Sequence, residues 1–338
     1  MVSINEVAAL AGVSKATVSR VINHNGYVSE KTRKKVEDVI RETGFIPSAN
    51  AVSLSKGITS AVGVIVPEID NVFYGEVLRG IISEADLYDM QLFFYDTQNS
   101  AKKEEKALRI IAQQQLMGMI VAPSVDYNQN KESKALVEKI DRLGIPVVIL
   151  DRDFEGIHWD GVFFENFQSA YSATTELIKA GNRRIGIITG GDDLKISRDR
   201  RRGFEQAALD QGIKVKKKDI LTGDFVMETA FWLSKQMFLS GDHPEGILTC
   251  NNRSSIGFLK AAAACGVTVG KDIALIGIDK VPMLNEIGFP FSCISRDNQE
   301  MGRLAMHLMM ERIHDPTSSR KVAMAPYHLE LNGSERRG

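Results

Sequence analysis

From Ala61 onward the chain alternates short apolar runs with longer stretches whose apolar residues recur every three or four positions. The runs include AVGVIV (61–66), QLFFY (91–95), GMIVA (118–122), PVVIL (146–150), RIGII (184–188) and IALIGI (273–278). Helical periodicity fills 74–88, 103–115, 131–143, 167–180, 200–211, 228–239, 253–265 and 298–313. Continuous apolar strands alternating with amphipathic helices predict α/β architecture, with parallel sheets covered on both faces. The first four strand–helix units make one doubly wound domain, and a second set begins near 160. Ligands of such sheets bind beyond the carboxyl ends of the strands. That rule singles out Phe73 and Tyr74, Ser124, Asp151 and Arg152, the 190–200 loop, Asn251 and Asp279. In two facing domains those ends converge on one cleft, a common ligand location.

Before residue 60 the pattern differs. Residues 3–23, SINEVAALAGVSKATVSRVIN, predict a helix, a tight turn and a second helix, a geometry that fits a DNA major groove. Ile4, Val7, Ala8 and Ala11 make one buried face. Gly12 supplies the left-handed turn, and Ser14 caps the second helix. Val18, Val21 and Ile22 face inward, leaving Lys15, Ala16, Thr17, Ser19, Arg20 and Asn23 outward. Ser29 caps a third helix, with a face of Val36, Val39 and Ile40, which ends at Gly44. The polar segment 46–60 that follows is too short to form a helix alone. It is either a linker that becomes helical on docking or a plain tether.

A chain of 338 residues exceeds one core. Its net charge is −1, but residues 1–35 carry +4, so the remainder carries −5. A basic head on an acidic body is the asymmetry of a DNA reader joined to something else. Cys250, Cys265 and Cys293 are widely spaced and read as buried thiols. No signal segment opens the chain and no apolar run approaches the ~18 residues of a membrane span, so a cytoplasmic location and no membrane partner are expected. The six histidines lack metal-ligand spacing, there is no glycine-rich phosphate loop, and nothing pairs a nucleophile with a base. Neither catalytic residues nor a metal or cofactor are expected. A transport-type binding protein would have no use for residues 1–58.

Taken together, EVAALAGVSKATVSRVIN, VSEKTRKKVEDVIRETGFIPSANAVSL, VGVIVPEIDNVFYGEVLRGI, GNRRIGIITG, RRRGFEQAAL and ALIGIDKVP resemble the lactose/galactose repressor (LacI/GalR) family of bacterial transcription factors. The resemblance covers essentially the whole chain. It implies an N-terminal three-helix helix-turn-helix headpiece (1–45) and a hinge helix (46–58). The core it implies has two doubly wound subdomains like those of periplasmic sugar-binding proteins. The crossings would fall near 160, 291 and 324, giving a first subdomain of 59–160 with 292–324 and a second of 161–291 with 325–338. It further implies a homodimer on a palindromic operator, double-stranded DNA with one half-site per headpiece.

By resemblance, Lys15, Ala16 and Arg20 occupy the base-reading positions. The Arg20 fork can pair with a guanine, and Ala16 can meet a thymine methyl. Ser3, Ser14, Thr17, Ser19, Asn23 and Thr32 are short donors suited to phosphates. Leu54 corresponds to the hinge leucine that wedges into the minor groove, although Val52 stands where the family usually has arginine. The implied effector residues are Phe73, Tyr74, Ser124, Asp151, Arg152, Arg200, Phe225, Asn251, Asp279 and Arg296. The aromatics can stack on a ring or a sugar's C–H face. Alternatively Asp151, Arg200 and Asp279 pair with one another across the cleft. Asn252 replaces a usual Asp, Glu165 a usual Asp, and Arg296 a frequent Gln. Arg152, Arg200 and Arg296 together favour an anion, so the expected effector of this repressor of carbohydrate genes is sugar-like, with an acidic or phosphorylated one favoured. If Asp151, Asp279 and Glu165 neutralise the arginines, the effector is a neutral sugar. A global catabolite-type regulator controlled by a phosphoprotein corepressor is the alternative function.

Overall fold

The structure, a computed structural model, describes residues 2–22, 25–45 and 59–338. It divides into two compact units, one up to Ser60 and one from Ala61 onward.

In the first unit, α1 (Ile4–Ala11) begins at Ser3, whose Oγ accepts from the Glu6 N–H at 3.3 Å while the Ser3 N–H donates to Glu6 Oε2 at 2.7 Å. This reciprocal cap satisfies two otherwise orphaned donors. Gly12 ends the helix at φ 61°, where a side chain would be strained. In α2 (Lys15–Ile22) the Ser14 Oγ accepts from the Thr17 N–H at 3.1 Å. A third helix, α3 (Glu30–Thr43), starts at the Ser29 cap and stops at Gly44, φ 61°. Val7, Ala8, Ala11, Val18, Val21 and Val36 are buried together between them.

The second unit holds two six-stranded sheets. The first-sheet strands are β1 (Ala61–Val66), β2 (Gln91–Asp96), β3 (Gly118–Val121), β4 (Val147–Leu150), β5 (Asp160–Phe164) and β11 (Val322–Ala325), ordered β11-β5-β4-β3-β1-β2, all parallel. The second sheet contains β6 (Ile185–Thr189), β7 (Ile220–Thr222), β8 (Gly246–Thr249), β9 (Ala274–Ile278), β10 (Ser292–Arg296) and β12 (Tyr327–Glu330), ordered β12-β10-β9-β8-β6-β7. Only β12 runs antiparallel, against β10. One winding pattern is therefore used twice.

The helices that matter for the site are α4 (Val72–Asp86), α5 (Ala101–Gln114), α6 (Lys131–Arg142), α7 (Asn166–Lys179), α8 (Lys195–Asp210), α9 (Met227–Leu239), α10 (Asn252–Ala264), α11 (Pro282–Glu286) and α12 (Asn298–His314). The strands β1, β3, β4, β5, β6, β8 and β9 are buried along their whole length, as continuous apolar runs predict. QLFFY departs from that expectation. As β2 it is an edge strand, with Phe93 37% and Phe94 38% exposed. Where α4 and α12 cross, a Cβ on Gly80 would stand 1.9 Å from the Gln299 carbonyl oxygen, and one on Gly302 2.0 Å from that of Val77. Only backbone-to-backbone contact fits there, and it ties α12 to the first sheet.

The crossings lie later in the chain than expected. β5 pairs with β4 and β11, so residues 160–164 belong to the first lobe rather than opening the second. β10 pairs with β9, so 292–296 belong to the second. Ala325 still pairs within the first sheet. The chain therefore changes lobe after Phe164, after Arg296 and after Ala325. The physical reason is that each crossing strand completes its hydrogen-bonded ladder before leaving.

Candidate functional site

On α2, Val18 and Val21 are buried, while Lys15, Ala16 and Arg20 are exposed and Thr17 and Ser19 half-buried. The helix thus presents two cations and a methyl group on one outward surface. Ser3 and Ser14 accept from backbone N–H groups at helix starts. Thr17 and Thr32 lie within 2.9 Å of the Ser14 and Ser29 hydroxyls respectively. These hydroxyls serve the caps and sit at surfaces where a phosphate can approach. Asn23, Val52, Leu54 and the hinge segment 46–58 lie outside the described residues.

In the second unit the carboxyl ends of both sheets face one cleft. Nine of the ten expected cleft residues line it: Phe73, Tyr74, Asp151, Arg152, Arg200, Phe225, Asn251, Asp279 and Arg296, all of them buried. Glu68, Asn71 and Ile196 complete the lining. The strand-end rule could have found Glu68 and Asn71, since both follow the end of β1.

Ser124 is the exception. Its N–H donates to Glu104 Oε2 at 2.6 Å and its hydroxyl to Thr97 Oγ1 at 2.6 Å, behind the cleft wall. Glu104 is fully buried and also accepts from the Tyr127 hydroxyl. Burial pushes the Glu104 carboxyl above its usual range, against those hydrogen bonds.

Asp151 and Asp279 occupy equivalent places in the two windings, directly after β4 and β9. Both have left-handed backbones, φ 59° and 74°, which Asp tolerates better than most side chains. Each N–H donates to the neighbouring strand, Asp151 to the Val162 oxygen and Asp279 to that of Ile294, both at 2.9 Å. Between the two carboxylates lies Arg296, the last residue of β10. Its Nη1 donates to Asp151 Oδ1 at 3.0 Å and its Nε to Asp279 Oδ1 at 2.7 Å. The guanidinium carbon lies 4.0 Å from the Phe73 ring centre and 4.7 Å from that of Phe164. Burial opposes the charge on Arg296, but Asp279 and Asp151 outweigh it and raise the group's pKa. The Tyr74 hydroxyl donates to Asp151 Oδ2 at 3.2 Å, and burial pushes its phenol upward.

The alternative in which Asp151, Arg200 and Asp279 pair with one another does not hold: the cation between the two aspartates is Arg296. Arg200 donates from Nε to Asn166 Oδ1 at 2.8 Å and from Nη1 to the Cys250 oxygen. Among the described residues no carboxylate lies within 4 Å of it. Burial, and then the charge of Arg296, lower its pKa. Asn251 is committed to structure, donating to the Phe225 oxygen at 3.0 Å and accepting from the Ser254 N–H at 2.8 Å. That bond holds Phe225 at φ 67°. Glu165 is exposed and lines no part of the cleft, so it neutralises nothing there. Burial pushes the Cys250 thiol up to about 12, leaving it unreactive.

The cleft mouth is closed by charge. First-lobe acids meet second-lobe cations: Glu68 and Asp70 with Arg253 at 3.2 and 2.9 Å, Asp126 with Arg198 at 2.8 Å, Asp153 with Lys195 at 2.7 Å. Asn252 donates to Asn71 Oδ1 at 2.9 Å across the same gap. The space left inside is ≈ 40 Å³. That holds a few waters, whereas ligand pockets usually measure about 300–1,000 Å³. A sugar-sized molecule therefore requires the lobes to part.

Among the described residues no group of three His, Cys, Asp or Glu side chains could hold a metal. None of the described helices is long and apolar enough to cross a membrane.

Two family profiles match the chain. "Bacterial regulatory proteins, lacI family" matches residues 3–48, and "Periplasmic binding proteins and sugar binding domain of LacI family" matches 59–330. The HTH-type transcriptional repressor PurR of Photobacterium profundum is 31% identical over 95% of each chain. The regulator DegA of Bacillus subtilis is 29% identical over 89% of this chain and 88% of its own. Among solved structures, the Lac repressor dimer bound to operator and the anti-inducer ONPF superimposes with a TM-score of 0.85 at 21% identity, covering 98% of this chain and 99% of that one. The CelR–cellobiose complex gives 0.73 at 24%, covering 99% and 100%.

Proposed function

The chain belongs to the lacI family of bacterial regulatory proteins and is a DNA-binding transcriptional repressor rather than an enzyme; we propose that it acts as a homodimer on a palindromic operator, under the control of a small sugar-like effector held between the two lobes of its second unit. The observation that carries this reading is the convergence of nine buried side chains, eight of them aromatic or charged, from both lobes on one cleft. A structural neighbour, a transcriptional regulator solved with cellobiose, supports a carbohydrate effector, and carbohydrate genes are the target this reading implies. The homodimer is supported by the exposed Phe93 and Phe94 on the unpaired edge of β2, and by the dimeric Lac repressor neighbour. Operator binding implies a cytoplasmic location.

In this reading Arg20, with Lys15 and Ala16, chooses bases. Ser3, Ser14, Thr17, Ser19, Asn23 and Thr32 contact phosphates, and Leu54 opens the minor groove at the operator centre. A ligand that prefers one lobe arrangement shifts the population of the dimer and so its operator affinity. Gel-shift titration on operator selected from random DNA tests it. Arg20→Ala and Leu54→Ala should each cost specific binding about 1–3 kcal/mol with little change on scrambled DNA. An unchanged ratio of specific to scrambled affinity in both variants rejects the reading.

A further inference from the structure

Arg296 lies on the second crossing between the lobes. It ends β10 in the second sheet, and the next element, α12, is fixed to the first. Its guanidinium is sandwiched between Phe73 and Phe164 of the first lobe and paired with an aspartate from each. Those two aromatic faces and two carboxylates are the groups that would otherwise stack on a sugar face and accept its hydroxyls. Asp151 is used at both oxygens, by Arg296 and by Tyr74.

What remains for a ligand is mostly donor. Arg200 is 2% exposed, and its Nη2 finds no protein acceptor among the described residues. Arg152 donates from Nη1 to the Pro123 and Ser124 oxygens, while its Nε is buried with no partner. Glu68, the third carboxylate of the lining, is turned to Arg253, Asn71 and Asn99. Behind the wall, Glu104 is satisfied by Ser124 and Tyr127, and its charge acts on Arg152 without a direct hydrogen bond. Of the three guanidiniums of the cleft, Arg296 holds both aspartates and Arg152 feels Glu104, which leaves Arg200 with no carboxylate within 4 Å among the described residues. A buried cation without a counter-ion is costly, and a guanidinium fork matches a carboxylate or phosphate. Asp279 Oδ2, which has no protein donor among the described residues, can accept a hydroxyl beside that anionic group.

We propose that Arg296 sets the ligand class of this cleft: by filling the Phe73–Phe164 sandwich and occupying Asp151 and Asp279, it leaves Arg200 as the free donor, so that the cleft, once its lobes part, takes a small hydroxylated anion with its carboxylate or phosphate on Arg200. The proposal rests on reading the cleft as the effector site.

Calorimetry and thermal unfolding of the full chain test it, at ionic strength matched with sodium chloride. The probes are inorganic phosphate, gluconate and glucose 6-phosphate against glucose and cellobiose. The wild type should bind at least one anionic probe saturably, one per chain, and the neutral sugars at least tenfold more weakly. Arg296→Gln frees both aspartates and removes one cation, so it should lose the anion preference by tenfold or more. Arg296→Gln combined with Asp151→Asn leaves one fewer bare acid and should show the same loss if the single variant is unstable. No saturable response to any anion, neutral sugars bound as tightly by the wild type, or an unchanged preference in a folded variant each overturn the proposal. Gel shifts on the same preparations keep the two readings apart. Specific operator binding without an anion response rejects only the role of Arg296, whereas absence of specific DNA binding rejects the repressor reading itself.

Discussion

The first unit and the cleft of the second are both recognition surfaces, yet they are built in opposite ways. The α2 surface comes from eight consecutive residues, with Val18 and Val21 inward and Lys15, Ala16 and Arg20 outward. Its supports are equally local: the Ser3–Glu6 cap and the left-handed Gly12. The cleft takes its parts from strand ends far apart in the chain, and its central ion pairs join residues 145 and 17 positions apart. A locally encoded surface stays polar and open. A surface assembled from distant elements can be buried, and its charges then depend on one another. The difference should appear as a difference in how each region fails.

The largest effect is expected at the centre of the cleft. Asp279→Ala removes a carboxylate that Arg296 uses through two nitrogens, leaving a buried guanidinium underpaired. Breaking such a pair costs about 3–5 kcal/mol. Calorimetric unfolding should show the loss in the transition of residues 61–338, with that of the first unit unchanged. Equal shifts in both would mean the two regions are not independently built.

Acid should act on the two regions with opposite sign. In the folded state the Glu6 carboxyl is held below its usual range, first by the Ser3 backbone N–H. Its cap is therefore present above the ordinary carboxylate pKa and lost as pH falls through the lowered folded value. Glu104 is pushed up by burial. The folded state takes up that proton first, so its contribution to stability rises as pH falls through the raised folded value towards the unfolded one. Melting Glu6→Gln and Glu104→Gln against the wild type, from neutral pH down through the carboxylate range, should reveal the two trends. Trends of the same sign would contradict the burial assigned to Glu104.

The smallest effect is expected at the cleft mouth. Arg253→Ala removes pairs with Glu68 and Asp70 whose side chains are partly solvated. Such pairs are worth about 0–1 kcal/mol each and weaken with salt. The stability difference from wild type should shrink as sodium chloride is raised. A difference insensitive to salt would mean that Arg253 acts through packing.

Much of this was legible in the sequence because it rests on short-range periodicity. The helices of the first unit, with their caps and inward faces, follow from spacing alone, and so do the buried strands β1, β3, β4, β6 and β9, whereas the equally buried β5 and β10 carry no such run. The strand-end rule brings together Phe73, Tyr74, Asp151, Arg152, Asn251 and Asp279, which line one cleft. It misplaced Ser124, because which side of a strand end a residue faces depends on what packs behind it, here Glu104 and Thr97. It read QLFFY as buried, because an apolar run does not reveal whether a further strand covers its edge.

The sequence by itself determined that a basic helical hairpin precedes two doubly wound lobes, and which residue types stand at their strand ends. Only the tertiary structure decided how those residues share their charges. Strand-end position made Asp151, Arg200 and Asp279 equally fit to hold a ligand or one another, and it is Arg296 that lies between the two aspartates. Pairing of this kind is set by distances of a few ångströms across a fold, between residues whose separation along the chain carries no information about contact. Local propensity acts over three or four residues, whereas electrostatic choice in a buried cleft acts through space.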